Sequence, residues 1–306
     1  MSPGESLVWS KNLHWDNYFR PQTIPEALGL LQKFKGSARV IAGGTDLLPQ
    51  IRNGEIGPKV LVDITRIPGL DKIRLERGWI KIGALVTHAQ VAQSPLIQER
   101  ALALKEGASW LGSPQIRNIG TLAGNVVSGQ PGADTTIPLL ALNAEVTILN
   151  KKGVRTIPLT EFFMDTGKTA VDSSREIVTE ISFPGLKKGE ASISLRVARR
   201  KALALPILTL AIVLSADLAR RKFRHARIAM GPVGPVPFRA KEAESLLTDA
   251  EINEDLIRDA ARKVAQTSSP RTSLLRGSEA YRRDLVANLV ERGIRMGMER
   301  LERKNV

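Results

Sequence analysis

Hydrophobic and polar positions change period along this chain in a way that separates helices from strands. From Pro25 to Phe34 the apolar residues fall at helical spacing, with Thr23 or Ile24 at the start and Gly36 just past the end, which predicts a short amphipathic helix. Arg39 to Ala42 and Lys59 to Ile64 are short strand-like runs. Ile73 to Leu75 and Trp79 to Ile82 alternate on either side of Arg77-Gly78, the pattern of a β-hairpin. Thr87 to Val91 and Leu96 to Trp110 return to helical spacing, broken by Ser94-Pro95, and Ile137 to Leu142 is a further apolar helix. Glu145 to Leu149 alternates as a strand, turns at Lys152-Gly153 and pairs with Arg155 to Ile157. Glu176 to Phe183 is one more strand, stopped by Pro184-Gly185.

Beyond that stop the pattern changes. Ala191 to Ala198, Leu208 to Leu214 and Arg224 to Met230 read as three strands, the last two joined by a turn over Asp217 to Lys222. Three helical segments follow, Ala240 to Leu247, Asp255 to Gln266 and Ser278 to Arg300. The expected class is α+β: a βαβ-like opening with antiparallel additions, then a small antiparallel sheet backed by helices. The boundary is placed at residue 185. Residues 1–185 form a first domain with lobes of about 1–66 and 67–185, and residues 186–306 form a second.

Two glycine-rich segments stand out, Ala42-Gly43-Gly44-Thr45-Asp46-Leu47 and Thr121-Leu122-Ala123-Gly124-Asn125. Without a Cβ, backbone N–H groups approach an anion closely, and fixed N–H donors lose no side-chain entropy when they bind it. Each charge-assisted bond contributes about 1.5–3 kcal/mol, so two such segments acting as loops on one pyrophosphate outweigh the ordering of a large ligand. Gly43, Gly44 and Gly124 would give close approach, and Thr45, Thr121 and Asn125 would add hydroxyl or amide donors. Taken singly, either segment is equally readable as an ordinary turn. Neither segment runs into a Gly-Lys-Ser/Thr and no Gly-x-Gly-x-x-Gly is present, so neither is a P-loop or a nicotinamide fingerprint.

Composition narrows the chemistry. A chain of 306 residues, 42% hydrophobic and 25% charged, has the composition of a globular protein of about two domains. It contains no cysteine, which excludes disulfides, thiolate catalysis and an iron–sulfur cluster held by cysteines of this chain. The net charge of +14 raises nucleic-acid binding, but the basic clusters Arg199-Arg200-Lys201 and Arg220-Arg221-Lys222-Phe223-Arg224 carry little aromatic interleaving in a chain that is 4% aromatic. A solvated basic face, or one complementary to acidic partners, is the simpler reading. The longest apolar run, Ala202 to Ala216, contains Pro206 and is too short to span a bilayer, and the N-terminus lacks a signal-peptide pattern. A cytoplasmic protein without membrane insertion is expected.

In their order and context, Ala38 to Leu48, Ile116 to Asn125 with Pro131-Gly132-Ala133-Asp134, and Arg276 to Arg283 resemble the FAD-binding medium subunit of the molybdenum hydroxylases, the xanthine dehydrogenase and carbon monoxide dehydrogenase family. The resemblance runs from about Tyr18 to about Arg292. It implies a two-lobed FAD-binding domain of the PCMH type, followed by a C-terminal domain like that of the carbon monoxide dehydrogenase flavoprotein. It also implies an oxidoreductase subunit that passes electrons from a 2Fe–2S subunit through FAD to NAD or another acceptor. The 2Fe–2S cluster and the molybdenum cofactor would sit on partner subunits, with no role for nucleic acid.

The resemblance assigns FAD contacts to Val40, Ile41, Ala42, Gly43, Gly44, Thr45, Asp46 and Leu47, and to Leu111, Thr121, Ala123, Gly124, Asn125, Asp134, Val178 and Arg196. Ala123 departs from the family's usual glycine. Asp134 either accepts hydrogen bonds from ribose or ribityl hydroxyls or caps the helix after it. Asp46 faces a hydroxyl or the flavin edge, or caps the turn that follows. Leu47 and Leu111 pack on a cofactor ring or belong to the core. Val178 would give a backbone contact and Arg196 a charge near the isoalloxazine. After Arg199-Arg200 the family often continues acidic or polar, whereas Lys201 to Pro206 is largely apolar here, so the acceptor stays open. His14, His88 and His225 are scattered, with His88 read as packing at a helix start, and no acid–base catalytic residue is assigned. The alternatives are a free-standing FAD oxidoreductase of the same fold and a flavin-free scaffold.

Overall fold

The computed structural model describes residues 14–200 and 203–305. Lys201 and Ala202, the first two residues of the basic-to-apolar switch noted above, lie outside the described residues.

The chain opens with three short parallel strands, β1 (Asn17–Phe19), β2 (Ala38–Ile41) and β3 (Val60–Asp63), in the order β1-β3-β2. Helix α1 (Ile24–Lys33) joins the first two. It begins there because the Thr23 hydroxyl accepts the Glu26 N–H and Pro25 needs no hydrogen-bond partner in a first turn. Its Ala27, Leu28 and Leu31 pack on Val60 and Val62. β1 escaped the hydrophobic pattern, being three residues long with two of them exposed. Helix α2 (Leu47–Arg52) follows the first glycine segment.

The second lobe is built on a five-stranded antiparallel sheet of β4 (Ile73–Glu76), β5 (Trp79–Gly83), β6 (Glu145–Asn150), β7 (Gly153–Pro158) and β10 (Ile177–Pro184), in the order β4-β5-β10-β6-β7. Arg77 and Gly78 both take positive φ, 51° and 85°, as a tight two-residue hairpin turn requires. The helices of this lobe are α3 (His88–Gln93), α4 (Pro95–Arg100), α5 (Leu102–Trp110), α6 (Pro114–Ile119), α7 (Leu122–Val127), α8 (Thr136–Ala141) and α9 (Leu159–Phe162). A small hairpin, β8 (Phe163–Asp165) and β9 (Lys168–Thr169), completes it.

The single helix expected over Leu96 to Trp110 is two, α4 and α5, broken at Ala101 (φ −158°, ψ 51°). Tertiary contacts override propensity there. The Ala103 N–H reaches the Ser192 hydroxyl at 3.0 Å, and Gly107 lies against the Asp134 carbonyl, 2.3 Å from where a Cβ would stand.

A second antiparallel sheet holds β11 (Glu190–Ala198), β12 (Pro206–Asp217), β13 (Lys222–Gly231) and β14 (Phe238–Arg239), in that order. β12 is longer than its apolar run suggested and is buried on both faces. Ala211 and Val213 face the core of the second lobe, while Leu210, Ile212 and Leu214 face a separate core under the C-terminal helices. Those helices are α10 (Lys241–Leu247), α11 (Glu254–Thr267) and α12 (Glu279–Asn305). Gly293 and Gly297, one turn apart, let α12 lie on β12; a Cβ at Gly297 would stand 2.5 Å from Leu214 Cδ1. No helix of the described residues is long and apolar enough to cross a membrane.

Candidate functional site

The first glycine segment leaves β2 and turns sharply into α2. Gly44 has φ +69°, and the Leu48 N–H returns to its carbonyl at 3.0 Å. The N–H groups of Gly43, Gly44, Thr45 and Asp46 meet no acceptor among the described residues. Four successive open N–H groups on a cleft wall are a ready seat for an anion, since leaving them unmet costs free energy.

Gly43 is there for a different reason. A Cβ on it would stand 2.2 Å from the Ile119 carbonyl oxygen and 3.0 Å from Gly120 Cα. The two glycine segments therefore touch, and a Cβ on Gly120 would in turn meet Thr45 Oγ1 at 3.2 Å.

The second segment is not a loop, contrary to the sequence reading. It is a helix–turn–helix, with Gly120 as the C-cap of α6 and Thr121 as the N-cap of α7. The Thr121 hydroxyl oxygen accepts the Gly124 N–H at 3.0 Å, and a Cβ on Gly124 would crowd that oxygen at 2.9 Å. Gly124 thus serves its own helix cap, and its N–H is already engaged. The turn is anchored by Leu122 N–H to the Val86 carbonyl and by His88 N–H to the Gly120 carbonyl. Ala123 is buried in the core, where a helical methyl fits without strain. Asn125 Oδ1 accepts from the Thr135 hydroxyl at 2.8 Å, which fixes the amide and leaves Nδ2 without a protein acceptor among the described residues.

These two segments form one side of a cleft of about 1370 Å³. Val40 to Leu47, Leu111, Thr121, Gly124, Asn125 and Asp134 all line it. Val40 donates its N–H to the carbonyl of Ser173, another residue lining the cleft. Leu47 is half-buried and also packs beside Ile41, Ile51 and Leu61. Asp46 caps nothing with its side chain, and desolvation by the surrounding walls raises its carboxyl above the ordinary range.

Three expected contacts are not wall residues: Ala123, in the core as described above, Val178 and Arg196. Val178 sits inside the five-stranded sheet, opposite Ile148 and just before a bulge, with its side chain in the core. Arg196 lies behind the wall. Its Nε donates to Asp134 Oδ1 at 3.1 Å and an Nη2 hydrogen goes to the Ala204 carbonyl. Asp134 Oδ1 also accepts from the Thr209 hydroxyl at 3.0 Å, so one buried carboxylate joins α8 to β11 and β12. Burial pushes the Asp134 carboxyl up, opposed by Arg196 and Thr209. The helix cap considered for Asp134 is not formed, because Thr135 holds the cap position of α8 without a side-chain bond.

His88 and, from the C-terminal region, Ser269, Arg271, Thr272, Ser273, Arg276 and Arg282 also line the cleft, and no pattern in the sequence pointed to them as cleft residues. His88 is 2% exposed, its Nδ1 has no partner among the described residues, and burial together with Arg117 lowers its pKa to about 4. It is a neutral wall residue. Its signal in sequence, one histidine after Thr87, is that of any buried histidine.

A long ligand carrying a pyrophosphate fits these walls: open N–H groups and the Thr45 hydroxyl on one segment, the Thr121 hydroxyl and Asn125 amide on the other, apolar Leu47 and Leu111 nearby. Comparison with known proteins agrees with this reading. Residues 11–186 match the model of the FAD binding domain in molybdopterin dehydrogenase, and residues 193–296 match the carbon monoxide dehydrogenase flavoprotein C-terminal domain. The chain is 32% identical over 284 residues to the 6-hydroxypseudooxynicotine dehydrogenase complex subunit alpha of Paenarthrobacter nicotinovorans, covering 93% of this chain and 95% of that one. It is 35% identical over 239 residues to the nicotinate dehydrogenase FAD-subunit of Eubacterium barkeri, covering 77% and 80%. Among solved structures, a carbon monoxide dehydrogenase chain from Hydrogenophaga pseudoflava superposes with a TM-score of 0.89 at 29% identity, covering 95% of this chain and 99% of that chain.

Proposed function

Because this chain belongs to the FAD-binding subunits of the molybdenum hydroxylases, and is thus an oxidoreductase subunit with FAD as its cofactor, we propose that it relays electrons within a cytoplasmic complex. In this reading they arrive from a 2Fe–2S subunit, itself reduced by a molybdenum-cofactor subunit, and leave to NAD or another acceptor. FAD supplies a carrier that exchanges electrons singly or in pairs. The chain's own residues bind and orient it. The open N–H groups from Gly43 to Asp46, with the Thr45 and Thr121 hydroxyls and the Asn125 amide, hold the pyrophosphate. Asp134, fixed by Arg196 and Thr209, presents its second carboxylate oxygen to a sugar hydroxyl. Leu47 and Leu111 cover a ring. Residues 1–185 carry the two-lobed binding domain and residues 186–306 close the cleft.

The observation that carries this reading is the run of four unmet N–H groups locked against the second segment. A cysteine-free sequence supports the assignment of the iron–sulfur cluster to a partner. The test is the visible spectrum of the purified chain, with the chromophore released by heat and identified. Bound FAD, and co-purification with cysteine-rich and molybdenum-binding partners, is the expected result. A colourless chain that ignores added FAD overturns the binding site. Full dehydrogenase activity from this chain alone overturns the relay.

A further inference from the structure

The C-terminal wall of the cleft carries three arginines with no carboxylate partner among the described residues: Arg271 and Arg276 on the strap before α12, and Arg282 in the first turns of that helix. Arg282 is 4% exposed. Its two Nη atoms donate to the carbonyls of Arg271 and Pro232, and its Nε is buried without a partner among the described residues. Arg276 Nε donates to the Pro206 carbonyl at 3.1 Å. Among the described residues, every hydrogen bond from Arg276 and Arg282 thus goes to a neutral carbonyl, which leaves the charge uncompensated.

Several other arginines with little exposure are matched by carboxylates, Arg196 with Asp134, Arg239 with Glu244 and Arg300 with Glu106, while the half-buried Arg39 and Arg117 also donate to carbonyls. Desolvation disfavours the cations of both Arg276 and Arg282, and the neighbouring Arg276 and Arg271 charges add to this at Arg282. Gathering like charges in a partly desolvated wall without a counter-ion is costly. An anion from outside the chain relieves that cost, and a phosphoryl group matches guanidinium donors in both charge and geometry.

We infer that Arg271, Arg276 and the buried Arg282 form a phosphoryl-binding subsite on the C-terminal wall, across the cleft from the open N–H groups of the glycine segment. Such a group has two sources, the cleft's own FAD or a second, dissociable nucleotide. The subsite stands on the uncompensated arginines and does not depend on the flavin reading.

The test uses inorganic pyrophosphate as probe, on the flavin-loaded chain and on the chain stripped of flavin, with sodium chloride matched for ionic strength. Melting temperature and calorimetric affinity are read for wild type and for Arg276→Gln and Arg271→Gln, both closer to the surface than Arg282. Binding that each substitution weakens about tenfold is expected. Binding by both forms assigns the subsite to a second nucleotide. Binding only by the stripped chain assigns it to FAD itself. Pyrophosphate binding by a chain that takes up no FAD upholds the subsite while the flavin reading falls. No binding by either form, or variants that bind as wild type does, overturns the proposal and leaves the charge to a partner protein's carboxylates.

Discussion

Gly43 and Ile119 are in backbone contact: a Cβ on the glycine would stand 2.2 Å from the isoleucine's carbonyl oxygen. That contact converts two distant sequence segments into one wall. Gly43→Ala must push them apart, at a cost of about 1–3 kcal/mol for a methyl group with no room. We expect a lower melting temperature and a purified protein with a reduced ratio of flavin to protein absorbance. A variant that is wild-type by both measures would show that the two segments move independently.

Gly44 makes a different demand. Its φ of +69° is strained for a residue with a Cβ, and that atom would also crowd Ile41 and Leu48 at 3.2 Å. Gly44→Ala should cost roughly 1–2 kcal/mol through backbone strain, and Gly44→Asn less. Flavin retention should follow the same order, read by titrating FAD into each apo chain. Equal stability of the two variants would contradict the strain argument.

The Asp134–Arg196 pair, with both side chains 7% exposed, predicts strong non-additivity. Arg196→Met strands a buried carboxylate and should cost about 3 kcal/mol or more, and adding Asp134→Asn should recover part of that. Denaturant unfolding of the two single variants and the double variant measures the coupling. Additive losses would mean the pair does not hold β11 and β12 to the cleft.

His88 gives a pH dependence with a definite sign. Its folded pKa of about 4 lies below the ordinary 6.5, so the unfolded chain takes up the proton first as pH falls. The stability conferred by a neutral His88 is whole above pH 6.5 and is lost as pH drops toward 4. The full span corresponds to about 3 kcal/mol, as an order of magnitude. The difference in unfolding free energy between wild type and His88→Gln, followed from pH 7.5 to 4.5, should shrink by up to that amount. A difference that stays flat would place the imidazole in contact with water.

Much of the fold was legible because local chemistry and tertiary structure agreed. Thr23 and Pro25 start α1, and Arg77-Gly78 turns a hairpin whose flanking residues alternate. The reading failed where a contact from afar decided the local shape. Ala101 breaks a helix so that α5 can meet Ser192 and Asp134, and Thr121 makes a helix start of what reads as a glycine loop. The site divides the same way. Gly43 to Asp46, singled out by their glycines, lie on the cleft. Val178, expected by resemblance to give a backbone contact, has its side chain in the core. Arg271, Arg276 and Arg282 resemble any surface arginines until the strap before α12 brings them to the cleft.

The cleft draws its walls from residues near 40, near 120–134, near 205 and near 270–282. A growing chain therefore has no complete binding site until almost its whole length has been synthesised. The cofactor must enter a polypeptide that has already folded, so the apoprotein has to survive on its own packing while it waits. That places the burden on the two cores meeting across β12, whose alternate side chains belong one to each.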